Sequence, residues 1–194
     1  MKIGILALQG NYFQHKKVLD MLGIQNALIR YEYELKNCDA LIIPGGESTT
    51  ISKQIDNNQL RKELNNFATT NPIFGTCAGM IMLSTTISTP NLATLNIMDF
   101  DVDRNAWGSQ INSFSADIKL DFDQDKSFHA VFIRAPKITR IGKDVQVLSA
   151  YKNNPILLKN SMHVVSSFHP EIGDDFRIHE YFINQVNDRI PAFS

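Results

Sequence analysis

Phe74-Gly75-Thr76-Cys77-Ala78-Gly79-Met80 decides how this chain is read. The apolar run Pro72-Ile73-Phe74 leads into it, and the helix-like run Met80-Ile81-Met82-Leu83 leads out. That order predicts a strand, a tight turn and a helix, with a cysteine at the corner. Gly75 and Gly79 flank Cys77 in a Gly-x-Cys-x-Gly spacing, the thiol counterpart of the Gly-x-Ser-x-Gly nucleophile elbow. A sharp strand-to-helix turn leaves no space for side chains beside the nucleophile, so small residues flank it. The turn sets the sulfur at a helix N-terminus, where N–H groups and the helix dipole favour negative charge. It also sets the Ala78 N–H where it can stabilise an oxyanion. Taken alone, the pentapeptide equally suits a buried cysteine in a Gly-flanked turn, because free cysteine is often simply packed.

A second stretch, Phe168-His169-Pro170-Glu171, follows the apolar pair Val164-Val165. Pro170 biases His169 toward an extended backbone, and in extended chain residues two apart project from one face. His169 and Glu171 are therefore expected side by side, the carboxylate orienting the imidazole. An upstream cysteine with a downstream histidine and acid is what an activated thiol nucleophile requires. A lone histidine is more often structural, so the conjunction with the elbow carries the catalytic reading.

Three stretches together, Gly75-Thr76-Cys77-Ala78-Gly79, Ser167-Phe168-His169-Pro170-Glu171 and Pro44-Gly45-Gly46-Glu47-Ser48-Thr49-Thr50, resemble the class I glutamine amidotransferases. Leu6-Ala7-Leu8-Gln9-Gly10, Arg104-Asn105-Ala106, Phe132-Ile133-Arg134-Ala135-Pro136 and His179-Glu180-Tyr181-Phe182 resemble, more narrowly, the glutaminase subunits of pyridoxal 5′-phosphate synthase. The likeness runs from Met1 to about Asn187. It implies an α/β fold of three layers, a mostly parallel central sheet flanked by helices with an antiparallel extension. It also implies hydrolysis of L-glutamine to L-glutamate and ammonia. Cys77 would attack the carboxamide, His169 would move the proton and Glu171 would hold the imidazole. The backbone N–H groups of Gly46 and Ala78 would take the oxyanion. Gly46, Glu47, Ser48, Arg104, Ile133 and Arg134 would line the glutamine pocket, Ile133 through its backbone and one of the two arginines on the α-carboxylate. Each arginine read by itself is by default a surface arginine, and Gly45-Gly46 by itself is plain turn chemistry.

The implied partner is a separate barrel-fold synthase subunit that receives the ammonia and makes pyridoxal 5′-phosphate. No stretch of this chain reads as a site for a sugar phosphate, and neither cofactor nor metal is expected. The Gly46 peptide is the expected switch, turned toward the oxyanion when the partner docks. A glutaminase of another pathway and a stand-alone cysteine hydrolase are the competing readings. Some positions depart from the family: Ser109 stands where arginine is usual, Trp107 where phenylalanine is common, and Asn11-Tyr12-Phe13-Gln14 where small and charged residues are usual.

Composition bounds the rest. The 194 residues, read as one domain over 1–194, can bury a sizeable core, and 43% hydrophobic residues with a net charge of −1 match a soluble globular protein. The balance suggests neither nucleic acid nor a disordered charged tail. No apolar stretch is long enough to span a bilayer, and the N-terminus reads as a strand rather than a signal peptide. With only two cysteines, Cys38 and Cys77, the expected location is the cytoplasm, with Cys38 simply packed.

Hydrophobic periodicity predicts strands over 2–8, 26–30 and 41–43 and helices over 15–22, 48–54, 60–68 and 78–85. The Ser48-Thr49-Thr50 hydroxyls are expected to cap the second of these helices. A loop is expected over 86–91. Short alternating runs over 97–102, 114–120, 130–133 and 145–149 suggest antiparallel strands. A hairpin over 156–158 and 162–167 and a helix over 177–186 complete the pattern. Sites in such folds lie beyond the carboxyl ends of parallel strands, which puts Gly45-Gly46 and Cys77 in one crevice.

Overall fold

The structure, a computed structural model, describes residues 1–88, 92–104 and 113–189. Its frame is a seven-stranded sheet. Five strands run parallel: β1 (Lys2–Leu6), β2 (Gln25–Ile29), β3 (Ala40–Ile43), β4 (Ile73–Thr76) and, from later in the chain, the strand Val164–Ser166. Between them come α1 (Tyr12–Met21), α2 (Glu32–Leu35), α3 (Ser48–Asn57), α4 (Arg61–Ala68) and α5 (Ala78–Leu83). The middle of the chain adds β5 (Thr86–Ile87), β6 (Phe100–Asp103), β7 (Ser113–Leu120), β8 (Asp123–Ile133), β9 (Lys137–Ile141), β10 (Gln146–Tyr151) and β11 (Asn154–Lys159). Then come β12 (Val164–Ser166) and α6 (Arg177–Asn187). The large sheet runs β10-β11-β12-β4-β3-β1-β2, with β10 and β11 antiparallel to their neighbours. Among the described residues, β5-β6-β9 and β7-β8 form two smaller sheets.

Strand side chains alternate between two cores because successive Cβ atoms point to opposite faces. Ile3 and Ile5 of β1, Ala40 and Ile42 of β3, Phe74 of β4 and Val164 of β12 pack with Leu19 of α1 and Phe182 of α6. Leu6, Leu41, Ile43, Ile73 and Val165 face the other way, onto Ile51 of α3, Leu64 of α4 and Met80 of α5. Nearly all are fully buried, as parallel strands covered on both faces must be. The layers are helix, sheet, helix, as expected.

The chain goes from β1 outward to β2, then crosses to β3 on the other side of β1. The turns after β1 and β3 therefore part at a topological switch point, the position where open parallel sheets form their crevice.

Several elements depart from the sequence pattern. α1 begins at Tyr12, three residues early, so Asn11 occupies its N-cap. α3 is capped by Glu47, whose carboxylate accepts from Thr49 N at 3.1 Å and Thr50 N at 2.6 Å, rather than by hydroxyls. The strand expected from 97 starts at Phe100, because the Ile97 and Met98 N–H groups turn to the Leu83 carbonyl of α5 instead of to a strand. Thr86–Ile87, expected in a loop, pairs with β6. β8 extends N-terminally to Asp123, its polar half lying outside the apolar pattern. α2 and β9 were not anticipated, one being a single turn and the other having only Ile138 buried. Asn105, Ala106, Trp107 and Ser109 lie outside the described residues.

Candidate active site

The elbow forms as its glycines require. Cys77 joins β4 to α5 with φ 49° and ψ −103°, a conformation rare for a side-chain-bearing residue and costing about 1–3 kcal/mol. The surroundings hold it there. Its N–H donates to the Ser166 carbonyl of β12 at 2.8 Å, and its carbonyl accepts from Ile81 N at 3.2 Å. A Cβ on Gly79 would overlap the Ile43 carbonyl of β3, and one on Gly75 would overlap the Gly79 backbone. Glycine at both places is what lets α5 approach the sheet closely enough to make the corner. Cys77 Sγ lies 3.6 Å from the Ile133 carbonyl.

His169 follows β12 and is pinned by its N–H, which donates to the Val131 carbonyl of β8 at 2.9 Å. Its ring lies beside Cys77: a Cβ on Gly45 would meet both the His169 ring and the Cys77 Cβ. Nδ1 faces Glu171 Oε1 at 2.7 Å, which leaves Nε2 for the sulfur. The pair stands side by side as expected, but not through extended chain. Ile172 N donates to the His169 carbonyl at 3.2 Å, closing a turn with Pro170 at its second position, where the fixed proline φ suits it.

Glu171 is 3% exposed, and Asn11 Nδ2 also donates to its Oε1 at 3.2 Å. Burial pushes its carboxyl up, but the His15 and His169 rings more than offset that and hold it at about 2. Burial pushes His169 down, yet the neighbouring Cys77 and Glu171 raise it to about 10. At neutral pH Glu171 is an anion and His169 carries a proton.

These groups open into a pocket of about 490 Å³. Its wall holds Cys77, Ala78 and His169 together with Gly46, Glu47, Ser48, Arg104, Ile133 and Arg134. Every residue expected in the glutamine pocket lines it, and Glu171 stands one layer behind. The two arginines differ. Arg104 Nη2 lies 3.0 Å from Glu47 Oε1 and its Nη1 3.1 Å from Thr49 Oγ1. Burial acts against the Glu47 charge, but bonds from Thr50 and Thr49 bring its carboxyl to about 2, so Arg104 already has an ionised partner. Arg134, exposed and with φ 44°, is in no ion pair among the described residues.

Gly45 lines it as the switch-point reading expected, and three lining residues were not expected there: Gln9, Asn11 and Ile81. Gln9 Oε1 accepts from Glu47 N at 2.7 Å and fills the space a Cβ on Gly46 would occupy. The Gly10 turn, φ 92°, packs so closely on the Gly45 carbonyl that only glycine fits, and Asn11 N donates to that carbonyl at 3.0 Å. Deeper in, His15, Thr76 and His179 gather behind Glu171. Two features of the sequence touched this group: the spacing of four from the N-cap Asn11 to His15, and His179 at the head of His179-Glu180-Tyr181-Phe182.

A cysteine at a strained strand–helix corner, a carboxylate-oriented histidine and a switch-point pocket define an α/β protein of the class I glutamine amidotransferase type. A solved glutamine amidotransferase superposes with a TM-score of 0.90 at 39% identity, over 95% of this chain and 98% of that one. The structure of PurLQS from Thermotoga maritima shares the fold alone, with a TM-score of 0.66 at 13% identity, over 97% of this chain and 96% of that one. The chain belongs to the SNO glutamine amidotransferase family, whose model matches residues 5–188. It is 44% identical over 182 residues to the pyridoxal 5′-phosphate synthase subunit PdxT of Francisella tularensis subsp. tularensis (strain WY96-3418), covering 94% of this chain and 97% of that protein. The subunit of that name from F. tularensis subsp. novicida (strain U112) is 43% identical over the same shares.

Proposed function

We propose that this protein is the glutaminase subunit of a pyridoxal 5′-phosphate synthase, folded as one domain over 1–194, and that Cys77, His169 and Glu171 hydrolyse L-glutamine to L-glutamate and ammonia. The observation that carries the reading is the convergence of an elbow cysteine and a carboxylate-held histidine in one pocket. The 44% identity to a synthase subunit supports the pathway.

His169 holds the proton taken from Cys77, and Sγ attacks the carboxamide carbon. The tetrahedral oxyanion takes N–H bonds from Ala78 and Gly46. His169, which retains a proton at neutral pH, delivers it to the departing nitrogen, so the C–N bond breaks and ammonia leaves. Water, deprotonated by His169, then opens the thioester to release L-glutamate. Glu171 stays ionised and holds the ring in the useful tautomer. Arg134, in no ion pair among the described residues, takes the glutamine α-carboxylate. Arg104 orders Glu47, and Glu47, Ser48 and the Ile133 carbonyl bound the amino-acid end. No cofactor takes part in these steps.

The partner is a barrel-fold synthase subunit, and both work in the cytoplasm. Among the described residues, no helix is long and apolar enough to cross a membrane. Ammonia in open water near neutral pH is mostly protonated and no longer nucleophilic, so its delivery is across the subunit interface. Gly46, wedged against Gln9, is the peptide that turns toward the oxyanion on docking. The test is ammonia release from glutamine while the synthase partner is titrated in. Activity should rise and saturate. Equal activity without partner removes the Gly46 switch, failure to bind removes the pathway, and inertness toward glutamine removes the glutaminase.

A further inference from the structure

The Cys77–His169–Glu171 arrangement uses only one oxygen of Glu171. Oε1 faces His169 and accepts from Asn11, whereas Oε2 is buried and has no hydrogen-bond partner among the described residues. An ionised carboxylate oxygen left bare in the interior is exceptional. What faces it is His15 Nε2, 3.5 Å away, on a ring that is 0% exposed. The same nitrogen lies 3.2 Å from Thr76 Oγ1, the hydroxyl that accepts the Gly45 N–H at 3.0 Å. His15 Nδ1 lies 3.0 Å from His179 Nε2 of α6, and His179 Nδ1 is buried without a partner.

Only one proton arrangement suits this row. If His15 carried its proton on Nδ1, it would donate to His179 Nε2. His179 would then carry its proton on Nδ1 as a donor with nothing to receive it, and a bare His15 Nε2 would face the bare Oε2. With the protons on Nε2 of both rings, His179 donates to His15 Nδ1 and leaves only an empty lone pair at the end of the row. His15 then turns its N–H toward the carboxylate and the Thr76 hydroxyl.

We propose that His15 is a positioning residue for the acid of the proposed catalytic set: held by His179 as the neutral Nε2–H tautomer, it presents that N–H to Glu171 and Thr76 and so fixes the carboxylate behind His169. Three segments meet on this one nitrogen. They are the Glu171 turn, the elbow through Thr76, and through Thr76 the Gly45-Gly46 turn. Among the described residues, the titratable groups around Glu171 are His15 from α1, His179 from α6, His169 from its own turn, and Cys77 beyond His169. Burial drives His15 down, with Glu171 pulling the other way, and burial brings His179 to about 3. Both are neutral, as the row requires.

The kinetic arm of the test rests on the glutaminase reading; the spectroscopic arm does not. In the unsubstituted protein labelled with nitrogen-15 at histidine, the ring-nitrogen shifts of His15 and His179 should both report neutral Nε2–H. Nδ1–H at His15 overturns the proposal. In the complex with the synthase partner, His15→Leu should lower kcat for glutamine on the order of tenfold to a hundredfold, the scale on which loss of an orienting outer partner acts at metal-ligand residues, with KM little changed. Removing a donor from an anion raises its pKa, so the acid limb of the rate profile should also move toward neutral. His15→Gln, whose amide can donate from nearly the same place, should restore both. Rates are referred to the protein fraction that a glutamine-like electrophile labels at Cys77, which separates lost folding from lost positioning. An unmoved acid limb in His15→Leu, or His15→Gln as poor as His15→Leu, overturns the proposal. An inactive unsubstituted complex with Nε2–H at His15 overturns the glutaminase reading instead.

Discussion

At the scale of single residues, the three proposed catalytic groups are unequal. Cys77 forms the bond to substrate, so Cys77→Ala should leave glutamine hydrolysis at background, with circular dichroism and melting unchanged or improved. The strain at φ 49° is borne for the sulfur, and alanine at that corner still packs. Persistent ammonia release from this variant would remove the thiol mechanism. His169→Asn should approach the same defect, whereas Glu171→Gln keeps an oxygen to hold the ring and should retain more rate. Steady-state kinetics of the two variants side by side checks the order. The sequence made these three legible because each sits in a local pattern: flanking glycines, or a proline between histidine and acid. Asn11, His15 and His179 carried no such mark. They meet Glu171 only because α1 and α6 cover the same sheet face, which is a long-range fact.

At the scale of elements, α3 matters most to the pocket. Glu47 caps it, pairs with Arg104 and lines the site at once. Glu47→Ala therefore removes a helix cap, costing about 1 kcal/mol, and frees Arg104. The expected result is a slightly lower denaturation midpoint and a raised KM for glutamine with a smaller change in kcat. A change in kcat alone would assign Glu47 to the chemistry instead. Gly79→Ala should be harsher. The added Cβ meets backbone, the Ile43 carbonyl, which cannot step aside. Loss of several kcal/mol or of soluble protein is expected, measured by denaturant unfolding. The parallel strands and their helices were readable because full burial writes continuous apolar runs. β9 and α2 were not, since one has a single buried residue and the other is barely one turn long, too short to repeat a pattern.

At the scale of the whole molecule, buried histidines tie stability to pH. His163, 4% exposed, accepts the Ile73 N–H on its Nδ1 at 3.1 Å, where β12 meets β4 in mid-sheet. Burial and the nearby Arg189 charge depress it to about 4, and its protonation would break that bond. The unfolded chain binds this proton near 6.5 and the folded chain only near 4, so between those values the unfolded state holds more protons. Stability should thus fall as pH drops from about 6.5 to 4, by roughly 3 kcal/mol for this group once fully developed. His179, at about 3, adds to the same loss. His169 acts oppositely. Raised to about 10, it binds its proton more tightly when folded, so its contribution is complete below about 6.5 and is lost as pH rises toward 10. The histidine contribution as a whole therefore peaks near pH 6.5. Guanidinium midpoints measured across about pH 4.5 to 8 should show the acid slope. His163→Asn, which keeps an acceptor for Ile73 but cannot titrate, should flatten that slope by about one proton, or 1.4 kcal/mol per pH unit. An equal slope in the variant would place the acid sensitivity elsewhere, in the row behind Glu171.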